Sequence, residues 1–313
     1  MKIVLITDGD VPPKKYGGTQ RVVAWLAKGL LELGHKVYII NDGKCYLKHK
    51  NLKFIKNEIA IKKFRNYTGL ENIEKYLPEE YDIVHFHFNL KKEPPFPYIL
   101  TFHWLGKSEE DFNDVILPNT IFVSKRHAEN NNRNHYVYHG LDPEEFIYKE
   151  RKKNRYLFLS KVSYSPKNVK LAIKLAKDMK FQLDVAGGWR LNFSRYNHFK
   201  GMVGGTKKKK LLANSKALIF PTLCEEPFGL VTIEALVSGT PVISSNYGAM
   251  SEIVTEDVGF RCENYNDYKK AFKSLDKIDS KSCRQRVLDN FTHIDMANNY
   301  IKYYKRVLKR GKI

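Results

Sequence analysis

The stretch CEEPFGLVTIEALVSGTPVISS, residues 224–245, sets two acids, Glu226 and Glu234, eight positions apart around the pair Phe228 and Gly229. The apolar run that follows reads as a helix opening near Gly229. A helix N-terminus leaves its first amides unpaired and carries a partial positive charge, so the amides of Gly229, Leu230 and Val231 offer a seat to an anion. Glu226 lies just before that end and Glu234 in its second turn. Carboxylates so placed accept hydrogen bonds well from neutral hydroxyls. A sugar and a ribose on either side of a phosphate would suit two such acceptors. The plainer alternative is that Glu226 complements the helix start and Glu234 lies on the surface.

A second candidate follows the first apolar run, in TDGDVPPKKYGGTQR, where Gly17 and Gly18 stand directly before a helix. Glycines there let backbone amides approach a phosphate closely. The pattern matches neither the dinucleotide fingerprint nor a P-loop, and a glycine pair before a helix is often only a turn. Asp8 and Asp10 imitate a D-x-D metal clamp, a spacing that arises commonly by chance. Cys45, Cys224, Cys262 and Cys283 have no C-x-x-C spacing and no nearby histidine pair, so they read as reduced thiols rather than a zinc site or a disulfide framework.

These residues need elements to position them. Short β-branched-rich runs at 2–7, 35–42, 81–88, 98–104 and 119–125 read as strands. Between the first two, Val22, Val23, Leu26, Leu30 and Leu33 repeat with the period of an amphipathic helix ended by Gly34. Strand, helix, strand in that order implies a parallel sheet with right-handed crossovers. The pattern restarts after the basic segment 148–155, read as a linker: strands at 156–161, 181–188, 216–222 and 241–245 alternate with helices at 168–179, 207–215 and 229–239. The expectation is α/β: two doubly wound, Rossmann-like domains facing a cleft, where ligands sit beyond the carboxyl ends of the strands. Their spans are 1–150 for the first and 151–292 for the second. A basic helix over 293–313, with Ile294, Met296, Tyr300, Ile301, Tyr304 and Leu308 at helical spacing, is expected to pack back toward the first domain or to lie on an anionic surface.

A chain of 313 residues suits two cores. Its formal charge of +20 favours anionic partners: nucleic acid, an acidic membrane surface or phosphorylated small molecules. No apolar stretch approaches the roughly 20 residues that span a bilayer. The opening MKIVLITDGD reads as a buried strand rather than a signal peptide, so the expected place is the cytoplasm, peripheral to the inner face of the membrane.

The segment EEPFGLVTIEALVSGTPVIS resembles the E-x7-E signature of retaining glycosyltransferases of family 4, with Glu226 and Glu234 on its two glutamates. The likeness runs on in order through YGGTQRVVAWLAKGLLELGHKVYII, DIVHFH, TFHW, VYHGLDPEEF, LFLSKVSYSPKNVKLAIKLAK, LDVAGG, GAMSEIV and VGF, nearly the whole chain. It implies the GT-B fold. It also implies that Glu234 serves the nucleotide's ribose, that Glu226 serves hydroxyls of the donor sugar, and that amides near Phe228, Gly229, Leu230 and Val231 hold sugar and diphosphate. Gly17 and Gly18 would border the diphosphate, and His103 in TFHW would reach the donor sugar, although a histidine at a strand end is more often structural. The family usually carries Gly-Arg and then a lysine where this chain has Ser160, Lys161 and Lys167. Lysine is a point charge without arginine's fork, so the clamp is looser but still cationic. Residues 43–80 have no assigned counterpart, which leaves the acceptor most open.

The chemistry so implied is transfer of a hexose from a UDP- or GDP-sugar to a hydroxyl acceptor with retention of configuration. Lys161, Lys167 and helix amides would stabilise the leaving diphosphate, with no metal and no other cofactor. Three readings of the basic surplus compete. The acceptor is a cell-envelope glycan or an anionic glycolipid at a membrane; or it is a nucleic acid; or the body is a degenerate transferase that only binds nucleic acid or membrane.

Overall fold

In a computed structural model, described over residues 1–14, 17–104, 116–191 and 194–313, the chain divides into two compact units. The first comprises Met1–Gly140 and His293–Ile313, the second Leu141–Thr292.

The first unit is built on β1 (Lys2–Ile6), α1 (Gly18–Glu32), β2 (Lys36–Asn41), β3 (Leu52–Lys56), α2 (Glu58–Arg65), β4 (Ile83–Phe86), β5 (Tyr98–Thr101), β6 (Thr120–Ile121) and α3 (Lys125–Asn130). Its strands lie in the order β3-β2-β1-β4-β5-β6, every pair parallel. Ile3, Val4, Leu5 and Ile6 are fully buried, as expected of a strand covered on both faces. The face of α1 read from the sequence, Val22, Val23, Leu26 and Leu30, is buried with Trp25, and Gly34 ends the helix with φ +82°.

The second unit contains β7 (Tyr156–Leu159), α4 (Val169–Asp178), β8 (Leu183–Ala186), β9 (Asn197–Gly201), α5 (Gly205–Asn214), β10 (Leu218–Phe220), α6 (Leu230–Val237), β11 (Val242–Ser245), α7 (Met250–Ile253), β12 (Gly259–Cys262), α8 (Tyr265–Ser274) and α9 (Ser280–Asn290). Its sheet is again parallel, ordered β12-β11-β10-β7-β8-β9. Both sheets are doubly wound: the order reverses beside the first strand of each, between β1 and β4 and between β7 and β10. The crevices beyond the carboxyl ends at these two points are where such sheets take ligands.

The last helix, α10 (His293–Arg310), belongs to the first unit, as the sequence suggested. It crosses α1 at Gly29, where an added Cβ would stand 2.4 Å from the His293 carbonyl oxygen and 2.9 Å from the Ala297 Cβ. Met296, Tyr300, Ile301 and Tyr304 are buried, whereas Leu308 is exposed. The Tyr304 hydroxyl lies 2.7 Å from His85 Nδ1, and Thr101 Oγ1 lies 2.7 Å from both His85 Nε2 and the Tyr300 hydroxyl.

Residues 148–155 are not a free linker, for the chain passes between units at Gly140 and Leu141 and this segment is built into the second. Lys152 donates to the carbonyls of Ala213 (3.2 Å) and Ser238 (2.8 Å) and to Thr240 Oγ1 (3.0 Å). Burial lowers its ammonium to about 8. Residues 43–80, without assignment from the sequence, supply the edge strand β3 and the helix α2, which Asn57 caps by accepting from the Ala60 amide at 2.9 Å. Strands β9 and β12 and helices α8 and α9 were likewise not expected.

Candidate active site

The second unit gathers one set of the sequence-predicted residues at its switch point. Beyond β7, Ser160 and Lys161 turn under Gly187. A Cβ at Gly187 would stand 2.0 Å from the Ser160 carbonyl oxygen, and the residue has φ +108°, so only glycine fits. The Ser160 amide donates to Ala186 at 3.1 Å and the Val162 amide to Gly187 at 3.0 Å. Lys161 is exposed on this turn and has no ion-pair partner among the described residues.

A single turn over Ser165–Lys167 follows, closed by Asn168 in the left-handed region at φ 55°. The Asn168 side chain accepts from the Leu171 amide and starts α4. This turn docks on the loop after β10, where the Leu223 amide donates to the Pro166 carbonyl at 2.8 Å. The docking brings Lys167 Nζ onto Glu226 Oε2 in a short ion pair, 5.2 Å from the centroid of the Phe220 ring. Cys224 Sγ lies 3.9 Å from the same carboxylate oxygen, and burial pushes its thiol up.

Glu226 is fixed from its backbone by a segment more than twenty residues downstream. Gly248, at φ +62°, approaches so closely that a Cβ would stand 2.3 Å from both the amide nitrogen and the carbonyl oxygen of Glu226. The Ala249 amide donates to the Glu226 carbonyl at 2.9 Å, and the Gly248 amide to Glu225 Oε2 at 3.1 Å.

Helix α6 starts at Gly229, left-handed at φ 83°, with no side-chain oxygen capping it. Thr232 turns inward to donate to the Gly229 carbonyl at 2.7 Å. The first amides, those of Leu230 and Val231, have no acceptor within the helix by construction. Phe228, expected beside the ligand, points its ring into the core edge-on to Phe291 at 5.8 Å, so its contribution is the turn it anchors. Glu234 is only 2% exposed, which rules out a surface role, and Lys208 of α5 donates to its Oε1 at 2.6 Å. Lys208 escaped sequence reasoning because it is one of four consecutive lysines, and only the fold singles it out.

The other set lies on the first unit. Gly17, at φ 142°, is the N-cap of α1, again without a side-chain cap, and Gly18 opens the helix. Asp8 accepts from Gln20 Nε2 at 2.7 Å and from Arg65, while Asp10 accepts from the Lys44 amide at 2.9 Å. Both aspartates therefore hold the loop. His103, just past β5, heads a group of stacked imidazoles. Its Nε2 lies 3.1 Å from His87 Nδ1, and its ring faces that of His139 at 5.2 Å. Burial, with His127 nearby, pushes His103 down to about 3, so it is a neutral ring that brings no charge.

Residues 142–290, almost the whole second unit, match the family model described as glycosyl transferases group 1. The protein is a glycosyltransferase. It is 26% identical to an uncharacterized glycosyltransferase of Methanocaldococcus jannaschii, with 82% of this chain and 84% of that one covered. It is also 23% identical, over 58% of this chain and 52% of the other, to an O-antigen chain mannosyltransferase of Salmonella typhimurium. Among solved structures, a glycosyltransferase involved in avilamycin A biosynthesis superposes with a TM-score of 0.82 at 24% identity, covering 99% of this chain and 98% of that one. An Anabaena protein in complex with UDP and glucose superposes with a TM-score of 0.67 at 12% identity, covering 98% and 100%. The two Rossmann-like units of this glycosyltransferase thus have the GT-B fold.

Proposed function

We propose that this glycosyltransferase moves a hexosyl group from a nucleotide-diphosphate sugar to a hydroxyl acceptor, retaining the anomeric configuration and using no metal. The observation that carries the reading is the convergence, at one switch point, of Lys161, the Lys167–Glu226 pair and the uncapped start of α6, with Glu234 held by Lys208. Departure of a nucleoside diphosphate builds negative charge on phosphate oxygens. Two ammonium groups and a helix N-terminus gathered beyond β7 and β10 would stabilise that charge electrostatically. Glu226 then accepts from hydroxyls of the donor sugar and Glu234 from the ribose. Gly17, Gly18 and His103 keep the roles that the family 4 resemblance implies.

The relatives support a nucleotide donor and a glycan product: one acts in O-antigen chains by name, and one solved neighbour holds UDP and glucose. We assign the acceptor to cell-envelope glycan or glycolipid synthesis at an anionic membrane face. Lys302, Lys305, Arg306, Lys309 and Arg310 of α10 are all exposed and would supply the contact. Among the described residues no helix is long and apolar enough to cross a membrane.

The test is a panel of UDP-, GDP- and ADP-sugars scored by thermal stabilisation and slow donor hydrolysis, with and without EDTA. A shift with one donor class and turnover unchanged by EDTA are expected. No shift with any donor would sink the reading, and strict dependence on a divalent ion would sink its metal-free form.

A further inference from the structure

Helix α5 breaks a local rule. Lys207, Lys208, Lys209 and Lys210 fall in its first two turns, with no acid in the first turn and no side-chain cap, so four cations crowd the positive end of the helix dipole. A sequence that pays this cost without local compensation points to something outside the helix. Two of the four are accounted for. Lys208 pairs with Glu234, and Lys209 stands 6.0 Å from the centroid of the Phe146 ring.

Lys207 and Lys210 instead line a cavity of about 570 Å³, together with Lys153, Arg155, Lys200 and a single acid, Asp184. That acid is already committed. Arg155 donates through both Nε (3.0 Å) and Nη2 to its two oxygens, and Lys200 Nζ lies 3.1 Å from Oδ1. Five cations against one carboxylate leave a surplus of four. Lys153, Lys207 and Lys210 are exposed, and none of the three has a carboxylate partner among the described residues; Lys207 Nζ reaches only the Lys200 carbonyl, at 3.3 Å. Thr206 and Leu211 add a hydroxyl and an apolar wall. The cavity shares no residue with the site around Lys167, Glu226 and Gly229.

We propose that this cavity is a second anion site, taking a phosphomonoester carried on a small polyol. Three unspent ammonium groups match the oxygens of a dianion, and the volume exceeds that of a bare phosphate. The same headgroup chemistry occurs in free sugar phosphates and in phosphomonoester lipids. The site is independent of the donor reading, since Lys207 and Lys210 have no part in it.

Calorimetric titration of the whole chain with a hexose 6-phosphate and with inorganic phosphate, with and without excess UDP, tests this. A parallel flotation assay uses phosphatidylcholine vesicles doped with phosphatidic acid. Binding of the hexose 6-phosphate should persist under UDP and weaken at least about tenfold in the double variant Lys207→Gln/Lys210→Gln, which loses two charge-assisted contacts. Binding to the doped vesicles alone, lost in the same variant, assigns the phosphomonoester to a lipid. Absence of binding to all three probes, or affinity unchanged in a double variant that melts like the parent, overturns the proposal. UDP binding is read separately, so failure of the donor reading is not confused with failure of this one.

Discussion

Nine of the ten histidines fall in the first unit, and His198 alone in the second. Five of the nine, His85, His87, His103, His127 and His139, sit together behind β4 and β5, and burial pushes each below its ordinary value of 6.5. The two with definite values are His103, near 3, and His127, near 4. A group whose folded value is depressed stabilises the fold above its unfolded value and loses that stability as pH falls, because the unfolded chain takes up the proton first. At pH 5 the unfolded imidazoles lie about 1.5 pH units below their midpoint, worth about 2 kcal/mol per histidine at about 1.36 kcal/mol per unit. His103 and His127 together remove about 4 kcal/mol, a large share of the roughly 5–15 kcal/mol that holds a domain. Urea unfolding of the full chain at pH 7.5 and pH 5, read unit by unit through limited proteolysis and mass spectrometry, measures it. The first unit should unfold at markedly lower urea at pH 5 while the second moves little. Midpoints of both units falling in parallel would refute the reasoning.

Three further outcomes are expected. Glu226→Gln and Lys167→Ala should each cut turnover at least about tenfold under conditions where both variants remain folded, since each removes charge beside the reacting centre; parental rates in both would undo the assignment. Lys208→Met leaves Glu234 charged and buried without its partner, which costs on the order of 3 kcal/mol in chemical denaturation, and Lys208→Met/Glu234→Gln should recover part of that loss; strictly additive effects would show that the pair does not act as one. Gly248→Ala forces a Cβ to within 2.3 Å of the Glu226 backbone, whereas at Gly201, with a similar positive φ of 67°, an added Cβ meets nothing within 4 Å. Turnover should therefore fall at least about tenfold in Gly248→Ala and stay near parental in Gly201→Ala, and equal rates would mean that backbone strain alone decides.

The elements legible in the sequence are those whose own residues carry the burial signal. Ile3 to Ile6, the α1 stripe and α6 announce themselves because both strand faces or a full helix face are apolar. Strand β3 does not: Leu52–Lys56 is an edge whose side chains are mostly exposed, and it is a strand because β2 offers it a partner. Within the site, Glu226 and Glu234 were legible from spacing, but their lysines were not in the same degree. Lys167 stood out only through the family resemblance, whereas nothing in KKKK distinguishes Lys208. Nor does spacing reveal that Gly248 props Glu226, since that contact joins two loops through the fold of the sheet. Phe228 illustrates the converse: its place in the motif suggested a ligand contact, and its ring went to the core.

The return of α10 to the first unit makes the second unit an insertion in the first. During synthesis, residues 141–292 emerge complete, with both neighbours of every inner strand in hand, while β4 and β5 still lack the tyrosines that meet His85 and Thr101. The first unit is thus begun first and finished last. A chain cut anywhere in the second unit breaks the covalent link between the two halves of the first, which non-covalent packing such as that of α10 on α1 at Gly29 must then hold alone.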